Sequence, residues 1–327
     1  MKKKKGGTGT DMEYQKLGKS GLWVSRLVLG TMNFGSKIEE KEAFRIMDAA
    51  LEVGINYFDT ANNYGKSIKK EGISETIIGD WFAGGMRRRE RVVLATKVYE
   101  SMQEGGPNDA PGLSAYKVRR HFADSLRRLR TDHVEIYYMH HVDRGVLWEE
   151  ILPVFQGMIQ KGDIDYLASS NFAGWNIADA QGYAKKSHMF GLVCEQHKYN
   201  LLTRIPELEV LPSAESHGMG VVAWSPLEGG MLSRNGVNRK DVAGDIQEKL
   251  KKFHELCLEL GEKEDVVALA WLLKNPAVTA PVIGPRTVGQ LYDALRALEI
   301  HLEQEAIERL EHIFPGPGGT APEVYAW

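Results

Sequence analysis

Eight short apolar runs recur along the chain, separated by stretches with helical spacing, and this alternation limits the possible folds more than any other feature. The runs are RLVLGT, INYFDT, RVVLATK, VEIYYMH, IDYLASSN, LVCEQ, GVVAWSP and VTAPVIG. Between them, stretches such as KEAFRIMDAALEVG and SAYKVRRHFADSLRRL place apolar residues at the 3.6-residue period of a helix with one buried face. Such an alternation points to an α/β chain whose parallel sheet closes on itself, a (β/α)8 TIM barrel, rather than a sandwich or an open doubly wound sheet. The G-x-G-x-x-G fingerprint of a dinucleotide site in an open sheet is absent. A small hairpin is expected around YQKLGKSGLWV, ahead of the first run, and extra helices at the carboxyl end.

The chain has 327 residues, enough for two average domains, but single α/β barrels commonly reach this size. No composition shift marks a boundary, so one barrel is expected over residues 13–314, with an arm or tag at 1–12 and a tail at 315–327. The net charge of -3 gives no sign of a nucleic-acid surface. No apolar run reaches membrane-spanning length, and the lysine cluster in MKKKKGGTGT is not followed by the apolar segment of a secretory signal. The two cysteines, Cys194 and Cys257, lie far apart in apolar surroundings, which suits a reducing cytoplasmic setting better than a disulfide framework.

Four polar side chains stand at or just beyond the ends of successive runs. Asp59 ends the second run, Tyr64 lies in the loop after it, Lys97 ends the third and His140 the fourth. Singly, each has an ordinary explanation: a turn former, a packed aromatic, a solvated lysine, a satisfied core histidine. In a closed barrel, however, the carboxyl ends of neighbouring strands share one rim, so the architecture brings the four together. The Gly/Pro-rich loop SMQEGGPNDAPGL and the loop LEGGMLSRNGVNRKDVAGD belong to the same face.

The motifs FDTANNYG, VVLATK, YYMHHVDR, SSNFAGW, EQHKYNLL, WSPL and VIGPRTVGQL, in that order and spacing, resemble those of the aldo-keto reductases from about residue 13 to 313. The resemblance implies NADPH-dependent reduction of a small-molecule carbonyl, with Asp59, Tyr64, Lys97 and His140 as the catalytic tetrad. The chemistry agrees with the residue types. Hydride arriving at a carbonyl carbon leaves charge on the oxygen, which needs a proton donor and oriented dipoles. Tyr64 is the expected donor, and the attraction of Lys97 for its phenolate is expected to outweigh the opposing effect of burial. Asp59 keeps Lys97 charged and aimed, and His140 orients the substrate oxygen. A zinc site at MHH is disfavoured because adjacent residues of a regular strand face opposite ways, and HELCLEL lacks a second histidine; no metal is expected.

Asn171 in SSNFAGW reads as a helix N-cap. The resemblance also gives it, with Ser170 and Gln196, the nicotinamide carboxamide. Trp224 is placed to stack on the nicotinamide, with Ser225, Pro226, Leu227 and Gly229 wrapping the pyrophosphate. Thr287 and Gln290 read as a capping box. By resemblance Arg286 pairs with the 2'-phosphate, Gln290 and Asp293 face the adenine, and Thr31, Met32, Ile283 and Gly284 complete the NADP(H) contacts. Ala294 departs from the asparagine common in the family. His141, Trp23 or Met32, and Tyr99 are expected to shape the substrate pocket. The tail FPGPGGTAPEVYAW resembles that of bacterial reductases related to nucleotide-sugar ketoreductases; its Pro and Gly argue against a helix and for a free end. The alternative function is a cofactor-binding regulatory subunit similar to the β-subunits of voltage-gated potassium channels.

Overall fold

The computed structural model describes residues 12–103, 105–233, 242 and 244–326. The expected arm at 1–12 therefore lies outside the described residues except for Met12, as does much of the loop after the seventh run. Strands β1 (Tyr14–Lys16) and β2 (Trp23–Ser25) form an antiparallel hairpin. The barrel strands follow as β3 (Val28–Gly30), β4 (Tyr57–Asp59), β5 (Val93–Val98), β6 (Val134–Met139), β7 (Ile164–Ser170), β8 (Leu192–Lys198), β9 (Gly220–Trp224) and β10 (Val278–Ile283). They close in the ring order β10-β3-β4-β5-β6-β7-β8-β9, and every expected run supplies one strand. The intervening helices are α1 (Glu40–Glu52), α2 (Ile73–Ala83), α3 (Ala115–Leu129), α4 (Trp148–Lys161), α5 (Gly174–Lys186), α6 (Val210–Ser216), α7 (Gly244–Leu260) and α8 (Glu264–Lys274). After the barrel come α9 (Val288–Leu295), α10 (Gln304–Ile313) and α11 (Glu323–Ala326).

Strand alternation sorts the core into two bodies. Val28, Tyr57, Ala95, Ile136, Tyr138, Ala168, Cys194, Val222 and Ala280 fill the barrel interior, while the larger cluster lies between strands and helices. The interior also bonds to itself: the Tyr57 and Tyr138 hydroxyls are 2.6 Å apart, and Tyr138 Oη donates to Cys194 Sγ at 3.4 Å. Helix α3 starts where the pattern places it, with Ser114 as N-cap accepting from the Lys117 N–H.

The hairpin covers the amino end of the barrel. Leu17 and Val24 join the interior cluster, and Gly18, at φ +58°, sits so close that a Cβ there would lie 2.5 Å from the Gly218 carbonyl oxygen. Trp23 is consequently at the end of the barrel opposite the carboxyl rim and cannot line a pocket there, contrary to expectation; its main-chain carbonyl accepts from Asn56 Nδ2 just ahead of β4. The carboxyl-terminal segment is not free either. Ala321 N–H donates to the Leu208 carbonyl at 3.0 Å, Arg204 Nη1 to the Phe314 carbonyl at 2.8 Å, and α11 forms despite the preceding Pro and Gly.

Arg26 ties the hairpin to the barrel. Its guanidinium donates to the carbonyls of Leu273, Val278 and Thr279 at 2.6 to 2.9 Å, and to Gln15 Oε1 at 2.6 Å. Replacing it strands acceptors at the end of α8 and the start of β10, so Arg26→Met should lower stability by about 2–4 kcal/mol in urea unfolding.

Candidate active site

The rim residues stand one layer above the interior packing. On β4 Asp59 follows inward-facing Tyr57 by two residues; on β5 Lys97 follows Ala95; on β7 Ser170 follows Ala168; on β8 Gln196 follows Cys194; on β9 Trp224 follows Val222. The period of two therefore aims each polar group into the barrel mouth. His140 lies one residue beyond β6 and continues the ladder through its N–H to the Val98 carbonyl at 3.0 Å.

Lys97 and Asp59 are 0 % and 1 % exposed. The ammonium has three hydrogens and three acceptors: Asp59 Oδ2 at 2.6 Å, the Thr60 carbonyl at 2.8 Å and Tyr64 Oη at 3.1 Å. The loop that brings Tyr64 back over the mouth depends on Gly65, at φ +108°, where a Cβ would lie 2.1 Å from the Lys70 carbonyl oxygen. Burial disfavours charge on Lys97, but Asp59 and then Tyr64 together raise its pKa above the ordinary lysine value, so it is an ammonium.

Tyr64 behaves otherwise than expected. The residue is partly buried, and desolvation of its hydroxyl raises its pKa above the ordinary phenol value despite the opposing attraction of Lys97. Desolvation, which penalises the phenolate, outweighs the ion pair. Tyr64 thus keeps its proton at neutral pH. Burial, followed by the positive field of Lys97 and by His141, holds the His140 pKa well below 6.5, so that imidazole is neutral.

The argument from alternation at MHH fails on geometry. Because β6 ends at Met139, the His140 and His141 rings are released from strand alternation and stack at 5.1 Å with planes 12° apart. Among the described residues no three His, Cys, Asp or Glu side chains form a metal-ligand group. His141 is half-buried, with Nε2 3.8 Å from Glu100 Oε1 and its ring edge-on to Tyr99.

Asn171 is not a helix cap. The N-cap of α5 is Ala173, without a side-chain bond, whereas Asn171 adopts φ +60° and turns its amide into the rim. Asn171 Nδ2 donates to the His140 carbonyl and to Ser170 Oγ, both at 3.0 Å, and its Oδ1 accepts from Trp224 Nε1 at 3.1 Å. Gln196 Nε2 donates to Asp59 Oδ1 at 2.8 Å. Thr31 is fully buried, its hydroxyl donating to the Asp59 carbonyl and accepting from Ser74. Met32 is 59 % exposed.

Beyond Trp224 the chain turns sharply, with positive φ at Ser225, Glu228 and Gly229. Pro226 is buried and Leu227 packs against the core. Sequence reasoning missed the clasp that holds this turn: Glu228 accepts from Lys198 Nζ, Asn200 Nδ2 and Thr203 Oγ1. Lys198 carries a legible signal, since it lies two residues past Gln196 on β8.

At the other anchor Ile283 is buried and Gly284 exposed. Thr287 caps α9 by accepting from the Gln290 N–H at 3.2 Å; Gln290 Oε1 takes the Arg286 N–H at 2.7 Å rather than that of Thr287, one residue earlier than a capping box predicts. Asp293 pairs with Lys263 at 2.9 Å.

Neutral His140 gives the protein a defined acid response. The unfolded chain takes up a proton at this position near pH 6.5, whereas the folded chain does so only at a much lower pH. Stability should therefore fall as pH falls through 6.5, by up to about 1.4 kcal/mol per unit from this residue. Urea unfolding at pH 7.5 and 5.5 should show a smaller difference in His140→Gln than in the parent.

Residues 26–314 match the model of the Aldo/keto reductase family. The chain is 57% identical over 327 residues to an uncharacterized oxidoreductase, YrpG, of Bacillus subtilis (strain 168), covering 97% of this chain and 100% of that protein. It is 31% identical to the aldo-keto reductase AMT2 of Alternaria alternata, over 91% of this chain and 90% of that one. A probable voltage-gated potassium channel subunit beta of Oryza sativa subsp. japonica is 30% identical, over 92% and 96%. With a closed eight-stranded barrel and a match spanning nearly its whole length, the chain belongs to the aldo/keto reductase family.

Proposed function

We propose that this oxidoreductase reduces an aldehyde or ketone to the alcohol with NADPH, and that Tyr64 gives the proton. The observation that carries the reading is the Lys97 ammonium shared between buried Asp59 and the Tyr64 hydroxyl. A phenol kept protonated by burial is a poor acid at rest. Its proton becomes transferable as charge builds on the substrate oxygen, and the adjacent ammonium, 3.1 Å from Oη, stabilises the phenolate as it forms. Neutral His140 donates or accepts a hydrogen bond without adding charge, and its enclosed Nδ1 has no partner among the described residues. Asp59 and Lys97 hold the donor in place.

The residues fit a nicotinamide dinucleotide. A carboxamide needs one donor and one acceptor; the Ser170 hydroxyl, which accepts from Asn171, and Gln196 Oε1, which accepts nothing among the described residues, offer these. Trp224, held by its Nε1 bond to Asn171, offers a fixed aromatic face. The turn from Ser225 through Pro226 and Leu227 to Gly229 is the candidate pyrophosphate loop, and the Glu228 clasp fixes its shape. Arg286 is exposed and its guanidinium makes no bond among the described residues, which suits a 2'-phosphate. Gln290 Oε1 and the Asp293 carboxylate have protein partners, the Arg286 N–H and Lys263, beside which adenine would lie. The bound cofactor supplies hydride. A regulatory-subunit role has support from plant relatives at 30% and 31% identity, and the intact tetrad favours the enzyme.

Turnover of NADPH against a panel of aldehydes, ketones, methylglyoxal and keto-sugars tests the activity. Tyr64→Phe should leave NADPH binding nearly unchanged and slow single-turnover reduction by about two to four orders of magnitude. Rates within a few-fold of the parent would remove Tyr64 as the donor. Arg286→Ala should weaken NADPH by about one to two orders of magnitude and leave NADH nearly untouched, as read by fluorescence titration of both. Equal losses would separate Arg286 from phosphate recognition.

A further inference from the structure

The Asp59 carboxylate is held from two sides. Oδ2 accepts from Lys97 Nζ at 2.6 Å and Oδ1 from Gln196 Nε2 at 2.8 Å. Gln196 is 3 % exposed and Asp59 1 %, so water does not compete for either bond. In the ring order, β4 and β8 are four strands apart in both directions, which makes this bond a brace across the full width of the barrel mouth. Below it lie only groups that stay neutral: burial pushes Tyr57 and Tyr138 well above the ordinary phenol range and raises the Cys194 thiol. Around it stand Lys97, Tyr64 and the neutral imidazole of His140. Among the described residues, Lys97 is thus the sole cation facing Asp59.

An amide suits this place because it donates without adding charge. A second cation would compete with Lys97 for the carboxylate, and a second carboxylate would repel it. The other end of the same amide, Oε1, has no protein partner among the described residues and opens on the rim beside Ser170.

We propose that Gln196 is a positioning residue of the tetrad: its N–H fixes the carboxylate that aims Lys97, and its carbonyl oxygen meets the cofactor carboxamide. One side chain then ties filling of the nicotinamide pocket to the orientation of the ion pair. The second half of this proposal rests on the cofactor reading above; the first does not.

The brace is tested in the free protein by the exchange of the Gln196 side-chain amide, followed by NMR. The amide should be protected, and the paired variant Asp59→Leu/Lys97→Met, which removes both charges together, should reduce its protection at least ten-fold; an unprotected amide, or one indifferent to that variant, overturns the brace. On adding NADPH the same resonance should shift, and a static resonance in a protein that binds NADPH overturns the coupling. In single-turnover reduction at saturating NADPH, Gln196→Met should slow the step at least ten-fold, because the carboxylate that aims Lys97 loses a donor. Gln196→Glu, whose protonated carboxyl restores a donor, should approach the parent at low pH and fall away as pH rises. If both variants weaken NADPH while the saturated single-turnover rate and its pH dependence match the parent, Gln196 is a cofactor ligand only. A protein that does not bind NADPH would refute the cofactor reading while the exchange test still decides the brace.

Discussion

A lysine ammonium with no exposure at the mouth of a barrel is the constraint on which the rest of this structure depends. Burying such a charge costs several kcal/mol unless it is paired and every hydrogen has an acceptor. Here Asp59, the Thr60 carbonyl and Tyr64 account for all three hydrogens. Each acceptor in turn needs support. Asp59 is braced from the far wall by Gln196; the Asp59 carbonyl meets Thr31, which meets Ser74; Tyr64 is returned to the mouth by Gly65. The polar groups of the rim are thus consequences of one buried cation, arranged outward from it.

The fold was legible because two periods alternate along the chain, and both survive in the structure: strands that fill the barrel with every second residue, and helices such as α3 whose cap and apolar face coincide with the pattern. The location of the rim followed from the same logic, since a residue two positions past an inward apolar one must face the mouth. What was hidden depends on three-dimensional enclosure. Trp23 looks like a pocket residue until the hairpin proves to close the opposite end. Tyr64 looks like an acidified phenol until the depth of its hydroxyl is known, because burial and ion pairing act in opposite directions and sequence does not give their ratio. Asn171 looks like a cap by position, but its left-handed backbone redirects the amide to His140, Ser170 and Trp224.

The two histidines and the Glu228 clasp show a further limit. Alternation holds only inside a strand, and one residue past its end the His140 and His141 rings stack on one side. Glu228 was unreadable for another reason. Its partners come from the end of a different strand and the loop after it, and a glutamate at positive φ has no sequence signature. Contacts between βα loops are set by where the strands end, which the barrel determines only after closure.

The layered interior has a consequence for anyone wishing to rewrite this protein. The storey formed by Tyr57, Ala95, Tyr138, Ala168, Cys194 and Val222 is packed and hydrogen-bonded within itself, and the chemistry stands on the storey above. A designer can therefore treat the rim positions as an alphabet set on a finished foundation, exchanging one reaction for another without reopening the core. The exception is the Asp59–Lys97 pair, which must be removed together or kept together, since either one left alone turns a change of chemistry into a loss of the fold.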